Sequence, residues 1–402
     1  MKDDTPGGLN TAHFVLSLPK TKADPDPKQG KGYTDRIAST DGKRYWLDVN
    51  RRRPPYSPED MVRMGVPRLP RFFSALAGQD YVKWKLVSEI TATLANQEAY
   101  HRMVFVLGGP PGHGKTMAAK ELCCALGGEN AEQDFLKVSC ANLNSPFELF
   151  GGSGCYQGSQ TGSELNNFVV SHRDRLGVVN LDEFDRLSPE TSDALFTIFD
   201  KGEWVDKKLS SAYQTKTLSC SKIVWILTTN TFDEKIINFF EKEKTEFEGH
   251  NFKSLERKIE KKFKGDIEKR FGCALARRLG PLIPFVPFNV PECIAFIERD
   301  LDENRISYAK PPPPAKAPIR LVSNFEFKVD CEVVAYVARD AYDKNQGATS
   351  IKDFVFKDIY KCINQTHMEG EPVSGSRGRF SLAGEDGEEM IKFQLDIEES
   401  VT

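Results

Sequence analysis

Gly109-Pro-Pro-Gly-His-Gly-Lys-Thr116 is the stretch on which the reading of this chain turns. Its spacing is G-x-x-x-x-G-K-T, and it lies between an apolar run, Met103-Val-Phe-Val-Leu107, and a helix-forming stretch from Met117 to Leu122. A strand, a glycine-rich turn and a helix in that order make a cradle for phosphate. Glycines let successive backbone N–H groups converge on one anion, and the helix N-terminus adds positive potential. The pattern predicts Lys115 on the terminal phosphates of a nucleotide and the Thr116 hydroxyl on Mg²⁺. Gly109, Pro110, Pro111, Gly112, His113, Gly114 and Met117 complete the expected contact.

Two strands further on belong to the same edge. Val178-Val-Asn-Leu-Asp-Glu183 is mostly apolar and ends in two carboxylates. In a parallel sheet such a strand delivers its last residues to the side where the phosphates sit. Asp182 is expected in the Mg²⁺ shell and Glu183 as the base that orients the attacking water. Ile223-Val-Trp-Ile-Leu-Thr-Thr-Asn230 ends in a polar residue. Asn230 is expected to meet the γ-phosphate or that water.

Composition narrows the class. The chain has 402 residues, 39% apolar and 28% charged, with net charge −3. That balance argues against a dominant nucleic-acid surface, and no apolar run is long enough to span a membrane. The N-terminal stretch lacks the features of a secretory or organelle leader. Nine cysteines without metal spacing read as reduced thiols, which points to the cytosol or nucleus. The vicinal Cys123-Cys124 pair reads as helix packing.

Along the chain, residues 1–60 are polar and rich in Pro, Gly and Lys, and are expected to be partly disordered. Residues 61–288 alternate apolar strands with amphipathic segments, the signature of a doubly wound, mostly parallel α/β domain. Within it, 233–270 interleaves acids and bases in a way that suits exposed helices rather than a nucleic-acid patch. Residues 289–402 turn helical, over Cys293–Leu301, Glu332–Ala341 and Ser350–Ile363. One terminal strand is expected at Met390–Ile397, and Pro311–Pro314 as a stiff loop.

With these elements in order, the chain resembles an AAA+ ATPase, more narrowly the second ATPase module of Clp-type protein unfoldases and disaggregases. The likeness runs from about Leu69 to Gln365. It implies a P-loop NTPase fold with a small C-terminal helical lid, ATP and Mg²⁺ as ligands, a homo-hexameric ring and protein substrates. Leu76-Ala-Gly-Gln79 resembles the family's Val-Ile-Gly-Gln box, which puts Ala77, Gly78 and Gln79 at the adenine. Asp182-Glu-Phe-Asp-Arg186 resembles Asp-Glu-Ile-Glu-Lys. Gly151-Gly-Ser-Gly-Cys-Tyr-Gln-Gly158 resembles the family's pore loop, with Tyr156 on the aromatic that grips a polypeptide. Gln157 replaces the usual aliphatic neighbour. Ala274-Leu-Ala-Arg-Arg-Leu279 and its continuation to Pro287 place Arg278 on the arginine finger, with Arg277 the alternative.

One departure stands out. The family's Gly-Ala-Arg-Pro-Leu-Lys is here Gly347-Ala-Thr-Ser-Ile-Lys352, so Thr349 stands where an arginine reaches the γ-phosphate. A hydroxyl cannot neutralise that charge, and Lys352 is the residue that could compensate. The chain also has no Ile-Gly-Phe-type tripeptide suited to docking a peptidase. Three readings follow: an ATP-driven protein remodelling ring, a nucleotide-gated scaffold with weak hydrolysis, and a nucleic-acid motor or loader. The charge balance disfavours the last.

Overall fold

The computed structural model describes residues 43–45, 57–95, 103–127, 131–143, 145–151, 162–206, 216–249, 252–311, 321–371, 373–384 and 389–396. They belong to two compact units. One takes in 54–289 with 342–350; the other takes in 290–341 and 351–402, with the residues before 54. The chain thus passes from one unit to the other after 289, but Tyr342–Ser350 returns to the larger one. Most of the 1–60 extension and of the Pro311–Pro314 loop lie outside the described residues.

The larger unit is built on β1 (Val104–Gly108), β2 (Phe135–Ser139), β3 (Gly177–Asp182), β6 (Ile223–Thr229) and β7 (Leu282–Pro284). A short antiparallel pair, β4 (Glu203–Val205) and β5 (Thr217–Ser219), precedes β6. The five-stranded sheet has the order β2-β3-β6-β1-β7 and is parallel throughout. Strands β1 and β6 are buried along their whole length and β3 up to Asp182. Near-continuous apolar runs are what a parallel sheet covered on both faces requires. Because β1, β3 and β6 all run the same way, their carboxyl ends line one edge.

Five helices of this unit matter below: α1 (Asp80–Ala95), α2 (Lys115–Ala125), α3 (Phe196–Lys201), α4 (Asp233–Glu248) and α5 (Phe252–Ala276). In α5 the residues Phe252, Leu255, Ile259, Phe263 and Ile267 recur every three or four positions, and all are buried. They anchor the hairpin: Phe263 meets Phe239 of α4 at 5.6 Å between ring centroids, and Phe252 meets Tyr81 of α1 at 5.8 Å. At about 1.5–3 kcal/mol per buried side chain, this one face outweighs the charge-rich composition of the segment.

The smaller unit contains α6 (Val290–Tyr308), β8 (Glu326–Val329), α7 (Cys331–Asp340), β9 (Arg377–Ala383) and β10 (Met390–Asp396). It corrects the expectation of one lone terminal strand. β10 pairs antiparallel with β9, and β9 pairs parallel with β8. A single strand would leave its backbone groups unpaired, and the aromatic residues supply the reason for three. Phe380 and Phe393 stack at 4.6 Å, with Phe325 and Phe327 beside them.

Candidate functional site

The phosphate loop joins β1 to α2 in the predicted strand–turn–helix arrangement. Two of its glycines are required by close approach as well as by positive φ. A Cβ on Gly109 would lie 2.4 Å from the Phe285 carbonyl oxygen, and one on Gly112 would lie 1.8 Å from that of Gln346. Lys115 is buried, and its Nζ donates to the carbonyls of Gly109 and Pro110. Burial pulls its pKa down to about 8, against the opposing attraction of Asp233, Asp182 and Asp185.

His113, the last of the four variable residues of the motif, is also buried. Its Nδ1 lies 2.9 Å from the Pro111 carbonyl and its Nε2 3.2 Å from the Tyr342 hydroxyl. That hydroxyl accepts from the Phe288 backbone N–H at 2.7 Å, and the His113 ring stacks on Phe288 at 5.3 Å. One assignment satisfies all the donors: Nδ1–H donates to Pro111 and the tyrosine donates to Nε2. The Ala348 N–H donates to the Gly112 carbonyl at 2.9 Å. The turn 342–350 is thus seated on the phosphate loop, and Thr349 comes with it. Thr349 Oγ1 would stand 2.9 Å from a Cβ on Gly112, so the residue in the arginine's place does reach the loop.

The two strand ends meet through a residue that the sequence reading passed over. Thr228 Oγ1 donates to Asp182 Oδ1 at 2.5 Å and accepts from the Glu183 backbone N–H at 3.2 Å. One hydroxyl on β6 therefore holds both the Asp182 carboxylate at the end of β3 and the backbone of Glu183 just past it. The other Asp182 oxygen pairs with Lys137 Nζ of β2 at 2.7 Å. Burial alone would raise the Asp182 pKa; the ammonium of Lys137 and the hydroxyl of Thr228 outweigh it and hold the carboxyl below its ordinary range. Glu183 sits at φ 56°, ψ 44°, a left-handed conformation that costs a non-glycine residue and recurs where a side chain must be aimed. Its Oε2 lies 3.3 Å from Arg186 Nε. Asn230 follows β6 and is exposed; its carbonyl accepts from the Asp233 N–H at 3.3 Å. Burial pushes the Asp233 carboxyl up to about 6, eased by Lys115 and reinforced by Asp185.

Other expectations fare differently. The Gln79 side chain is spent on the backbone: its Nε2 donates to the Val286 carbonyl at 2.7 Å and its Oε1 accepts the Val286 N–H at 3.1 Å. Any nucleobase contact from this box falls to the backbone and to Ala77 and Gly78. Met117, by contrast, is exposed beside the loop. Arg278 is engaged within its own chain. Its guanidinium lies 3.6 Å over the Phe196 ring, pairs with Asp200 of α3 at 3.0 Å, and donates to the Ala274 carbonyl at 2.8 Å. Arg277 is exposed. Lys352 lies 5.7 Å from the Phe296 ring centroid, both within the smaller unit. Tyr156 and the rest of 152–161 lie outside the described residues. Cys123 is buried, which pushes its thiol up to about 12, as a packing residue requires. Among the described residues no cluster of His, Cys, Asp or Glu has the makings of a three-ligand metal site, and no helix is long and apolar enough to cross a membrane.

Part of the chain has counterparts in known proteins. Residues 105–252 match the model of the ATPase family associated with various cellular activities (AAA). Over about two thirds of its length the chain is similar to part of the Clp chaperones. It is 23% identical over 269 residues to the chaperone ClpB of Chlamydia caviae, covering 67% of this chain and 28% of that one. To ClpB of Malacoplasma penetrans it is 25% identical over 277 residues, covering 67% and 33%. The chain thus spans no more than a third of these relatives' length. A closed-state cryo-EM reconstruction of Hsp104 with ATPγS and FITC-casein shares the fold, with TM-score 0.60 and 17% identity. That match covers 86% of this chain and 53% of the other.

Proposed function

We propose that this AAA+ module binds ATP with Mg²⁺, hydrolyses it, and couples the turnover to the remodelling of polypeptide chains in a ring of six copies. The observation that carries the hydrolytic part is the Thr228 hydroxyl, which ties Asp182 and the Glu183 backbone to the strand next to the phosphate loop. The donors also suit the ion. Thr116 and Asp182 are hard oxygen ligands, and Asp182 is kept ionised, as Mg²⁺ prefers. The metal, when bound, would neutralise charge on the phosphate oxygens.

The residues of the chain do the rest. Lys115 exchanges its carbonyl partners for phosphate oxygens. Glu183 accepts a proton from water as the oxygen–phosphorus bond to the γ-phosphate forms and the bond to the leaving nucleoside diphosphate breaks. Asn230 orients that water. Arg278, once released from Phe196 and Asp200, serves the neighbouring subunit's γ-phosphate, and Tyr156 grips the substrate chain. The ring and the polypeptide substrate rest on likeness to ClpB and to Hsp104 bound to casein. Thr349 favours a second reading, a nucleotide-gated scaffold that hydrolyses slowly, because a neutral hydroxyl stands against the loop in the arginine's place.

Steady-state ATPase activity with and without an unfolded protein separates the two. The remodelling reading expects stimulation, and expects Tyr156→Ala to remove it while basal turnover stays within about twofold. Lys115→Ala should abolish nucleotide binding. Glu183→Gln should keep binding within a few-fold and lower turnover by about 100-fold or more, the usual scale of a lost general base. A Glu183→Gln protein that turns over at the parental rate would overturn the assignment; a parent deaf to unfolded protein would put the scaffold ahead.

A further inference from the structure

The helix α5 and its continuation to Arg278 hold ten basic and four acidic residues, in a chain whose net charge is −3. In sequence these charges alternate. Folding separates them. Glu256 turns inward to Lys85 of α1, Asp266 pairs with Lys235 of α4 at 2.5 Å, and Glu243 and Glu246 of α4 both hold Lys258, at 2.6 and 2.8 Å. The acids of the hairpin are largely consumed by contacts that fasten it to the unit.

What remains outside is a cationic row. Lys253, Arg257, Lys261 and Lys264 follow one another at four, four and three residues, which puts them on one helix face over roughly 16 Å. All four are exposed; Lys262 and Lys269 are exposed too, on another flank of the helix, and Glu260, the one exposed acid of the helix, lies one turn from Arg257 and Lys264 at the edge of the row. Among the described residues none of these six cations makes an ion pair. The opposite face of α5 is locked in the core by Phe252, Leu255, Ile259, Phe263 and Ile267.

We propose that this row is a docking face for the phosphate backbone of double-stranded nucleic acid, independent of the sequence of the duplex and of the nucleotide site. The side-chain chemistry argues for that occupant. Five of the six cations are lysines, point charges that bind phosphate without the planar fork that reads guanine. Protein–protein interfaces are depleted in lysine and built around aromatic or aliphatic anchors, and α5 exposes no large apolar residue. For the same reason it offers nothing to insert into a lipid surface, and no ring on which single-stranded bases could stack. A duplex, whose charges are spaced far more closely along its axis than those of α5, needs only a straight row of unpaired cations.

Fluorescence anisotropy of the full chain with two labelled 24-base-pair DNA duplexes of unrelated sequence tests this. Both should bind alike at 50 mM salt, and affinity should fall on the order of 100-fold by 200 mM, from about four neutralised phosphates. Arg257→Glu/Lys261→Glu/Lys264→Glu should lose about 30-fold or more and flatten the salt slope, with ATP binding unchanged. If that variant fails to fold, Lys261→Gln/Lys264→Gln should still reduce the slope by about two. Absence of duplex binding at 50 mM, or variants that bind like the parent, would overturn the proposal. So would tighter binding to polyglutamate, which would mark an acidic protein as the partner. Tighter binding to vesicles of phosphatidylcholine and phosphatidylserine mixed two to one would overturn it as well, by marking a membrane.

Discussion

The carboxyl edge of the parallel sheet and the outer face of α5 are both crowded with charge, and they differ in where each charge finds its partner. At the edge, Lys115 is folded onto its own loop, Asp182 is held from both sides by Thr228 and Lys137, and Arg278 lies on Phe196 against Asp200. On α5 the row from Lys253 to Lys264 points outward with none of that. A charge held by its own chain is positioned, and its protonation or its aim is the useful property. A charge without a partner is exposed to salt and to whatever polyanion approaches. Substitutions should therefore behave differently: those at the edge alter turnover, stability or pH response, while those on α5 alter association alone.

The sharpest way to break this contrast is at Thr228. Replacing it with valine keeps the shape of the strand and removes the hydroxyl that both Asp182 and the Glu183 N–H use. Turnover should fall by about 10- to 100-fold, on the order of the loss of one or two charge-assisted hydrogen bonds. ATP affinity should change only a few-fold, and Thr228→Ser should recover most of the rate. A valine variant with parental turnover would mean that the Asp182–Glu183 corner holds itself, through its left-handed turn alone.

Much of this edge was legible in the sequence, and for a physical reason. Backbone cradles and strand-end carboxylates need fixed local spacing, so Gly109–Thr116, Asp182–Glu183 and Asn230 could be named from the chain. The partners could not. Thr228 meets Asp182 only because β6 lies beside β3, and Lys137 meets it only because β2 lies on the other side. Strand order is set by crossovers that leave no local mark. The turn at Tyr342 belongs to the larger unit through contacts with Gly112 and His113, which are remote from it along the chain. The strands β8 and β9 were missed because they are short or rich in Arg, Gly and Ser. The interleaved charges of 233–270 read as a mixed solvated surface, since alternation along a sequence says nothing about which acids will turn inward.

His113 sharpens the comparison through pH. Burial is the main cause that lowers its pKa, from 6.5 to about 4, with Lys115 adding to it and the Pro111 and Pro110 carbonyls and Asp343 opposing. The unfolded chain therefore takes up this proton near pH 6.5, whereas the folded protein takes it up only near 4. The stability involved is fully present above 6.5 and is lost as the pH falls from there toward 4, by about 2 kcal/mol at pH 5. Urea unfolding at pH 7 and 5 should show that loss in the parent, and a smaller one in His113→Gln by roughly that amount. Equal pH responses in the two proteins would place the ring in water rather than between Phe288 and Tyr342.

Asn180 is the exception inside the edge, and the smallest effect follows from it. It lies on β3 two residues before Asp182, in register with Lys137 of β2 and Ile226 of β6, and it is fully buried. Among the described residues neither its Nδ2 nor its Oδ1 has a hydrogen-bond partner. Leaving a buried amide unpaired costs about 1–3 kcal/mol, whereas an apolar side chain of similar shape carries no such penalty. Asn180→Leu should therefore stabilise the protein, by about 1 kcal/mol once the slightly larger side chain is accommodated. The expected readout is a higher urea midpoint with an unchanged slope. Nucleotide binding should stay within a few-fold, because Asp182 keeps its own two partners. A lower midpoint would mean that the amide is hydrogen-bonded by water in solution. Asn180 would then join Thr228 and Lys137 among the groups that the edge holds in place.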